Sequence, residues 1–225
     1  FAADVAHEIK NPLTSLRSAV ETVARLEDPE QQRRLIAIIV DDVQRLDRLI
    51  TDISDASRLD AELSRAEVEP VDVGSMLRAL AELHEATTDG DGPRLVLDIA
   101  QHQRLVVPGI EGRLVQVWRN LISNAVSFSP PGGTIRVSAA RQSGKVRVIV
   151  EDEGPGLPPG KLTAIFDRFY SERPAGEKFG LHSGLGLSIS KQIVEAHGGR
   201  ILADNRTGAD GVIAGAIFTV TLPAA

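Results

Sequence analysis

Two apolar stripes at helical spacing fill the first 63 residues, and they constrain this chain more than any other feature. Val5, Ile9, Leu13, Leu16, Val20 and Val23 recur at alternating intervals of three and four, as one face of a helix requires. The stretch "EDPEQ" at 27–31 interrupts the stripe, and Pro29 suits the first turn of a new helix. A second seam follows, made of Leu35, Ile39, Leu46, Leu49, Ile53, Ala56, Leu59 and Leu63, and Val43 and Ile50 widen it. Two long helices joined by a short turn make a hairpin. One hairpin buries its stripe on one side only. Two copies packed together make a four-helix bundle, so the sequence predicts a homodimer.

The pattern changes near residue 65, which predicts two domains, 1–65 and 66–225. Short β-like runs occupy 66–71, 94–100, 105–109, 134–142, 145–152, 200–206 and 212–222, with helical patterns at about 73–87, 111–128, 158–165 and 184–197. The stretch "RQSGK" at 141–145 reads as a hairpin turn, and Gly198 and Gly199 stop the last helix. The predicted class is α+β, a helical hairpin followed by an α/β layer domain with antiparallel pairs. Segment 170–183, "YSERPAGEKFGLHS", lacks periodicity and reads as a mobile loop between ordered elements.

Composition removes several classes of function. The net charge of −6 argues against nucleic acid or an anionic membrane surface as partner. With no cysteine there is no disulfide, thiolate catalysis or cysteine zinc site, as suits a reducing compartment. No apolar run approaches the roughly 18–20 residues of a membrane span, and no signal peptide is visible. The chain starts at Phe1, already inside a helical pattern, and reads as a piece of a longer protein.

Three segments of the second domain could hold a ligand. Gln116, Asn120, Asn124 and Phe128 fall four apart on one predicted helix. The three amides either bond to neighbouring backbone or offer a hard oxygen ligand to Mg²⁺ beside a phosphate chain. In "VEDEGPGLP" (150–158) a strand ends at Asp152, and Gly154 and Gly156 bracket Pro155. The glycines permit a sharp turn against a ligand, and the carboxylate could accept a hydrogen bond from an exocyclic amine such as that of adenine; a plain turn is the alternative. The spacing is not the dinucleotide fingerprint, because the third glycine falls at 160 and Pro158 and Pro159 intrude. In "HSGLGLSISKQIVEAHGG" (182–199) Gly184 and Gly186 open a helix, which is either an anion site or a close packing contact.

The fourth segment, "DVAHEIKNPL" (4–13), places His7, Glu8 and Asn11 in the first helix. The pattern lacks the second histidine of a zinc-protease helix, so a metal is not indicated. A neutral imidazole is a good nucleophile toward phosphorus when one nitrogen holds the proton and the other presents a lone pair. Glu8 could fix that tautomer, and Asn11 could orient a water for the reverse reaction. A solvated face with a chance histidine is the alternative, and "HEATT" at 84–88 repeats the spacing. His84 runs into "TTDGDGP", whereas His7 lies in the long hairpin with Pro12 five residues on to loosen the backbone ladder.

Together these pieces resemble the catalytic core of a two-component sensor histidine kinase, over the whole chain. "FAADVAHEIKNPLTSL" resembles the H box, "RLDRLITDISDASRLDA" (45–61) the second hairpin helix and "NLISNA" (120–125) the N box. "DEGPGL" (152–157) resembles the first glycine box, "IFDRFY" (165–170) the F box and "SGLGLSISKQIVEAHGG" (183–199) the second. The resemblance implies a dimeric phosphotransfer hairpin and a Bergerat-type ATP-binding sandwich shared with gyrase, Hsp90 and MutL-type ATPases. It implies ATP-dependent autophosphorylation of His7 and transfer to an aspartate of a response regulator receiver domain. Glu8 would be the general base and Asn11 would serve a phosphatase reaction. Asn124 would be the Mg²⁺ ligand with Asn120 alongside, and Asp152 would read the adenine amine in a pocket shaped by Gly154 and Gly156. Phe166, Arg168 and Tyr170 would start the ATP lid. Ser183, Gly184, Leu185, Gly186 and Leu187 would line the ATP site, 184–186 meeting the phosphates. The parent would be an inner-membrane sensor with this part cytoplasmic and clear of the membrane.

The sequence departs from the family in two places. Ser127 and Phe128 stand where the N box often continues with Lys and Tyr, which removes a phosphate-contacting cation; Arg168, Arg173 or Lys178 are the replacements at hand. His182 stands where the second glycine box commonly has another glycine. The lid and "NAVSFSP" (124–130) look most like alphaproteobacterial kinases of the ChvG kind. A gyrase- or MutL-type ATPase clamp needs neither hairpin nor H box; a degenerate, non-enzymatic dimer would bind ATP without phosphorylation.

Overall fold

The computed structural model describes residues 2–63, 67–88, 90–100, 103–170, 184–208 and 211–225, with the backbone alone at 2–4, 7, 8, 45, 48, 60 and 61. Helices α1 (Ala2–Val23) and α2 (Pro29–Leu63) form the hairpin. Asp28 precedes Pro29, and its Oδ1 accepts the Glu30 N–H at 2.9 Å, which gives α2 a side-chain cap and a proline first turn. The Gln32 amide donates to the Leu26 carbonyl at 2.6 Å and closes the connection.

The apolar stripe divides in two. Leu16, Ala19 and Val23 of α1 and Leu35, Ile39, Leu46 and Leu49 of α2 are buried or half-buried in the hairpin. Leu13 and Val20, placed in the first seam on spacing, instead stand 51% and 52% exposed. On α2, Val43 and Ile50, which widen its seam in the sequence, are likewise exposed, as is Ile36. A helix in a four-helix bundle faces two neighbours, so its stripe is wider than a two-helix seam.

The second layer is built from β1 (Glu69–Asp72), α3 (Val73–Thr87), β2 (Arg94–Ile99), β3 (Val106–Gly109), α4 (Glu111–Phe128), β4 (Thr134–Gln142), β5 (Lys145–Glu151), α5 (Gly186–Ala196), β6 (Arg200–Thr207) and β7 (Ile213–Pro223). The main sheet has the order β2-β4-β5-β7-β6, and β1 pairs with β3 apart from it. Among the described residues four of the five pairs are antiparallel, as expected, and β2 with β4 is parallel, so the main sheet is mixed. Ser143 and Gly144 both take positive φ (51° and 72°) between Gln142 and Lys145, a two-residue type I′ turn.

One helix expected from the sequence is absent. Over 158–165 the described backbone forms only a 3-10 turn, Ala164–Phe166. Gly160 sits at φ +76°, outside the helical region, and this breaks the run two residues after Pro158, so no α-helix extends through it. The expected first strand begins at Glu69 rather than 66, and the boundary at 65/66 lies outside the described residues, as does the loop 171–183.

One sheet face is apolar, with Ile135, Val137, Val146, Val148, Val150, Val220 and Leu222 all nearly inaccessible, and α4 and α5 cover it. Ala56 and Leu59 of α2 join this same core, and Leu59 is 0% exposed. The far end of the hairpin is therefore packed on the sheet domain.

Candidate functional site

Asp152 follows directly on β5, at the end of the central strand of the sheet. Its Oδ1 accepts two backbone N–H bonds at 2.9 Å, from Gly154 and from Ala216 of β7. Both land on one oxygen, which leaves the other for a ligand. Burial pushes the Asp152 carboxyl above its usual range, and the Ala216 and Gly154 N–H groups and the Arg206 charge offset only part of that. Gly215 makes the approach possible, because a Cβ there would lie 1.9 Å from the Asp152 carbonyl oxygen.

The turn after Asp152 is held from outside. Gly154 allows the chain to pass the Phe128 carbonyl, which a Cβ would meet at 2.6 Å, and Gly156 sits at φ +77°. The Asn205 side chain then grips Leu157 on both sides: its Oδ1 accepts the Leu157 N–H at 2.6 Å and its Nδ2 donates to the Leu157 carbonyl at 2.9 Å.

Helices α4 and α5 form the second wall. The Asn120 amide donates to the Gly186 carbonyl at 3.1 Å and to Ser190 Oγ at 3.3 Å, and Ser190 Oγ donates to the same carbonyl at 2.8 Å. Asn120 is thus spoken for by the start of α5. Asn124 stands one turn further, half-buried, and among the described residues nothing bonds its amide. Gln116, the first member of the sequence stripe, turns away and donates to Asp55 of α2 at 3.2 Å. The first N–H groups of α5 have no side-chain cap, since Leu185 occupies the capping position.

The stem of the predicted lid is also visible. The Phe169 N–H donates to the Gly184 carbonyl at 3.0 Å, so the two ends of 170–183 meet. Phe169 takes φ +62° and Gly184 φ +72°, and a Cβ at 184 would press on the Phe169 backbone at 3.0 Å. Phe166 is buried edge-to-face against Phe218, with centroids 6.4 Å apart, while Arg168 is exposed and Tyr170 half-buried. Leu185 is 0% exposed and Leu187 packs partly buried on the core. Ser183 and His182 lie outside the described residues.

On the hairpin, His7 and Glu8 lie within α1, and their side chains are outside the described ones. Asn11 is exposed and Pro12 buried inside the helix, where it withholds an N–H from the carbonyl four residues back. The look-alike His84 has a structural task. Its Nε2 lies 2.9 Å from the Pro93 carbonyl oxygen and its Nδ1 3.2 Å from Thr88 Oγ1, tying the end of α3 to the chain before β2.

Comparison with known proteins matches residues 1–62 to the His Kinase A (phospho-acceptor) domain and residues 109–225 to the histidine kinase-, DNA gyrase B-, and HSP90-like ATPase family. This chain belongs to the sensor histidine kinases. It is 51% identical over its full length to the sensor protein ChvG of Rhizobium meliloti and 50% identical to that of Agrobacterium fabrum. The chain spans about two fifths of those relatives, 40% and 39% of their lengths. Among solved structures, all of it superposes on the histidine kinase ThkA in complex with response regulator TrrA, covering 61% of that chain at TM-score 0.76 and 27% identity. It covers 45% of full-length ShkA in complex with AMPPNP, at TM-score 0.67 and 26% identity. As in those kinases, a helical hairpin precedes a mixed-sheet ATP-binding domain.

Three parts of this kinase's site were not read from sequence. Asn205 acts 48 residues away from the turn it grips. Gly215, a glycine inside a strand run, was the one visible signal of a close backbone approach. Asp55 and Glu62 of α2 reach Gln116 and Arg113 across the domain junction.

Proposed function

We propose that this chain transfers the γ-phosphoryl group of ATP to His7 and passes it to an aspartate of a response regulator receiver domain. The observation that carries this reading is one acid. Asp152 is buried, fixed through Oδ1 by two N–H groups, and offers its second oxygen where an adenine amine is needed, in a chain that also has the phospho-acceptor hairpin. Gly154 and Gly156 shape the base pocket. Phe166 anchors the lid stem from the core, and Arg168 and Tyr170 begin the lid. Gly184, Leu185, Gly186 and Leu187 lead into the start of α5 and, with Ser183, would line the ATP site, 184–186 meeting the phosphates.

Mg²⁺ suits the amide left over on α4. It needs few protein oxygens beside phosphates and water, and the unbonded Asn124 supplies one. Among the described residues there is no cluster of three acidic, histidine or cysteine ligands that would compete for it. Bound there, the ion would neutralise phosphate charge.

In the transfer, the lone pair of one His7 ring nitrogen forms the bond to the γ-phosphorus while the bond to the β–γ bridging oxygen breaks and ADP leaves. Glu8 accepts the hydrogen bond of the other ring nitrogen and takes up its proton. Asn11 is exposed on the same helix and serves the hydrolytic removal of phosphate from the regulator. The response regulator in the ThkA complex supports a receiver domain as partner. The exposed stripe of Leu13, Val20, Ile36, Val43 and Ile50 supports a homodimer. No helix among the described residues is long and apolar enough to cross a membrane; the part spanning 1–225 is proposed to act in the cytoplasm under a membrane-anchored sensor, with a domain boundary at 65/66.

The test is γ-labelled ATP with Mg²⁺. The label is expected as an acid-labile, base-stable phosphoramidate that His7→Gln abolishes and His84→Gln spares. Label persisting on His7→Gln overturns the assignment, and ATP binding with no label supports the non-enzymatic dimer.

A further inference from the structure

Helices α4 and α5 run antiparallel, and α5 is bridged to α4 at both of its own ends. One bridge is the Asn120 amide on Gly186 and Ser190. The other is His197, which follows α5 directly. Its Nε2 accepts the N–H of Ile110 at 3.0 Å, and its Nδ1 lies 2.7 Å from the Ile193 carbonyl oxygen. A backbone N–H can only donate and a carbonyl can only accept. The ring is therefore neutral, with its proton on Nδ1 and its lone pair on Nε2.

The ring is not needed to end α5. A Schellman motif does that alone, with Gly199 N–H on the Val194 carbonyl at 2.9 Å and Gly198 N–H on the Glu195 carbonyl at 3.0 Å, and with Gly198 at φ +67°. That motif fixes where the imidazole stands. Nor does α4 cap itself there, since Ile110 has no capping side chain. Gly109 completes the fit, because a Cβ at that position would meet His197 Cδ2 at 2.9 Å and Leu114 Cδ1 at 2.7 Å.

The two bridges are matched in length. Ile110 to Asn120 spans about 15 Å along α4, and Gly186 to His197 about 16 Å along α5. They hold α5 against sliding along α4, and a slip of one residue would move the Gly186 end by about 1.5 Å. Asn120 lies at the Gly186 end of α5, one turn from Asn124, whereas His197 lies at the opposite end.

We propose that His197 is a positioning residue for the nucleotide. Its neutral imidazole sets the axial register of α5 on α4, and with it the gap between the Asn124 amide and the first N–H groups of α5. This rests on reading that gap as the phosphate-binding edge.

The experiment compares His197→Leu and His197→Gln with the unsubstituted chain, in ATP-dependent autophosphorylation and in ¹⁵N-histidine NMR. Gln reaches about as far as Nε2 and keeps an acceptor for Ile110. Loss of one backbone-anchoring bond predicts a rise in ATP KM of about tenfold for Leu, with kcat at saturating ATP within about threefold, and recovery of KM to within about twofold for Gln. NMR is expected to show a protonated Nδ1 and an unprotonated Nε2. An unchanged KM in the Leu variant overturns the proposal, as does an equal loss in kcat and kcat/KM. A ring protonated on Nε2 overturns it also. Should the Leu variant fail to fold, the Gln variant decides: a KM near that of the unsubstituted chain supports the acceptor role, and a tenfold rise rejects it. If the unsubstituted chain itself binds no ATP, the nucleotide reading fails and the α4–α5 register is not what failed.

Discussion

The Gln116 amide of α4 donates to the Asp55 carboxylate of α2 at 3.2 Å, and this bond ties the nucleotide domain to the hairpin. Arg113, one turn earlier on α4, donates both to Gln116 Oε1 at 2.8 Å and to Glu62 of α2. Beneath these polar contacts Ala56 and Leu59 enter the sheet domain's core. The partly exposed Arg113–Glu62 ion pair contributes about 0.2–1 kcal/mol and the Gln116–Asp55 hydrogen bond about 0.5–1.5 kcal/mol, so the two orient the domain more than they bind it. Asp55→Ala with Glu62→Ala is expected to broaden the distance distribution between spin labels on α2 and β6, while ATP affinity stays within about twofold. An unaltered distribution would show that the apolar contact alone sets the orientation. Leu59→Ala should cost about 2–4 kcal/mol and broaden it further.

Asp152 predicts opposite effects on binding and stability. Asn at this position keeps the oxygen that accepts from Gly154 and Ala216 but replaces the other oxygen with a donor, which opposes an amine. Nucleotide affinity should fall roughly 100-fold. Burial raises the folded-state pKa of Asp152, so its contribution is favourable below the unfolded value of about 3.9 and is lost as pH rises through the folded value. At neutral pH the buried charge is a liability that Asn removes. The variant should melt at or above the wild-type temperature at pH 7, and that advantage should close near pH 4. Isothermal titration and melting curves check both halves; unchanged affinity would take Asp152 out of the base pocket.

How much of this was legible in the sequence depended on range. The hairpin and the turn at Ser143–Gly144 could be read because their signals are local, a helical period and a pair of residues that tolerate positive φ. The stretch 158–165 misled because Leu162 and Ile165 mimic helical spacing, although Gly160 takes a positive φ that interrupts any helix there. The stripe Gln116, Asn120, Asn124 misled more quietly. Steps of four rotate by about 40° each on a helix of 3.6 residues per turn, so the ends of the stripe are about 80° apart. That rotation takes Gln116 to α2 and Asn120 to the start of α5, and leaves Asn124 without a bonded partner among the described residues. The parallel β2–β4 pair and the Asn205 grip depend on strand order, which no local pattern encodes.

Asp72 sets an acid limit on the nucleotide domain. It caps α3, with Oδ1 accepting from Gly74 and Ser75 N–H at 2.9 and 3.2 Å and Oδ2 from the Ser75 hydroxyl at 2.9 Å. Partial burial raises its pKa, but the Ser75 hydroxyl, the two N–H groups and Arg78 outweigh that and hold it below the usual range. A depressed folded-state pKa gives stability that is present above the unfolded value, about 3.9, and is lost as pH falls through the folded one. Asp72→Ala should cost about 1 kcal/mol at pH 7, a melting shift of about 2–4 °C. The gap between variant and wild type should shrink below pH 4, and a gap that held constant into acid would mean the carboxylate's charge is irrelevant to the cap.

The exposed stripe on the hairpin makes the last prediction. Ile36, Val43 and Ile50 recur every seven residues on α2, at 48%, 51% and 56% exposure, and Leu13 and Val20 repeat that interval on α1 at 51% and 52%. Five large apolar side chains in two parallel lines are what a second hairpin would cover. Burying each contributes about 1.5–3 kcal/mol, and an arginine in the seam forfeits that and strands a charge against its symmetry mate. Val43→Arg with Ile50→Arg should therefore turn a dimer into a monomer at micromolar concentration in sedimentation velocity. Neither residue contacts the sheet domain's core, so ATP affinity should hold within about twofold. A double variant that still sediments as a dimer would place the subunit interface elsewhere on the chain.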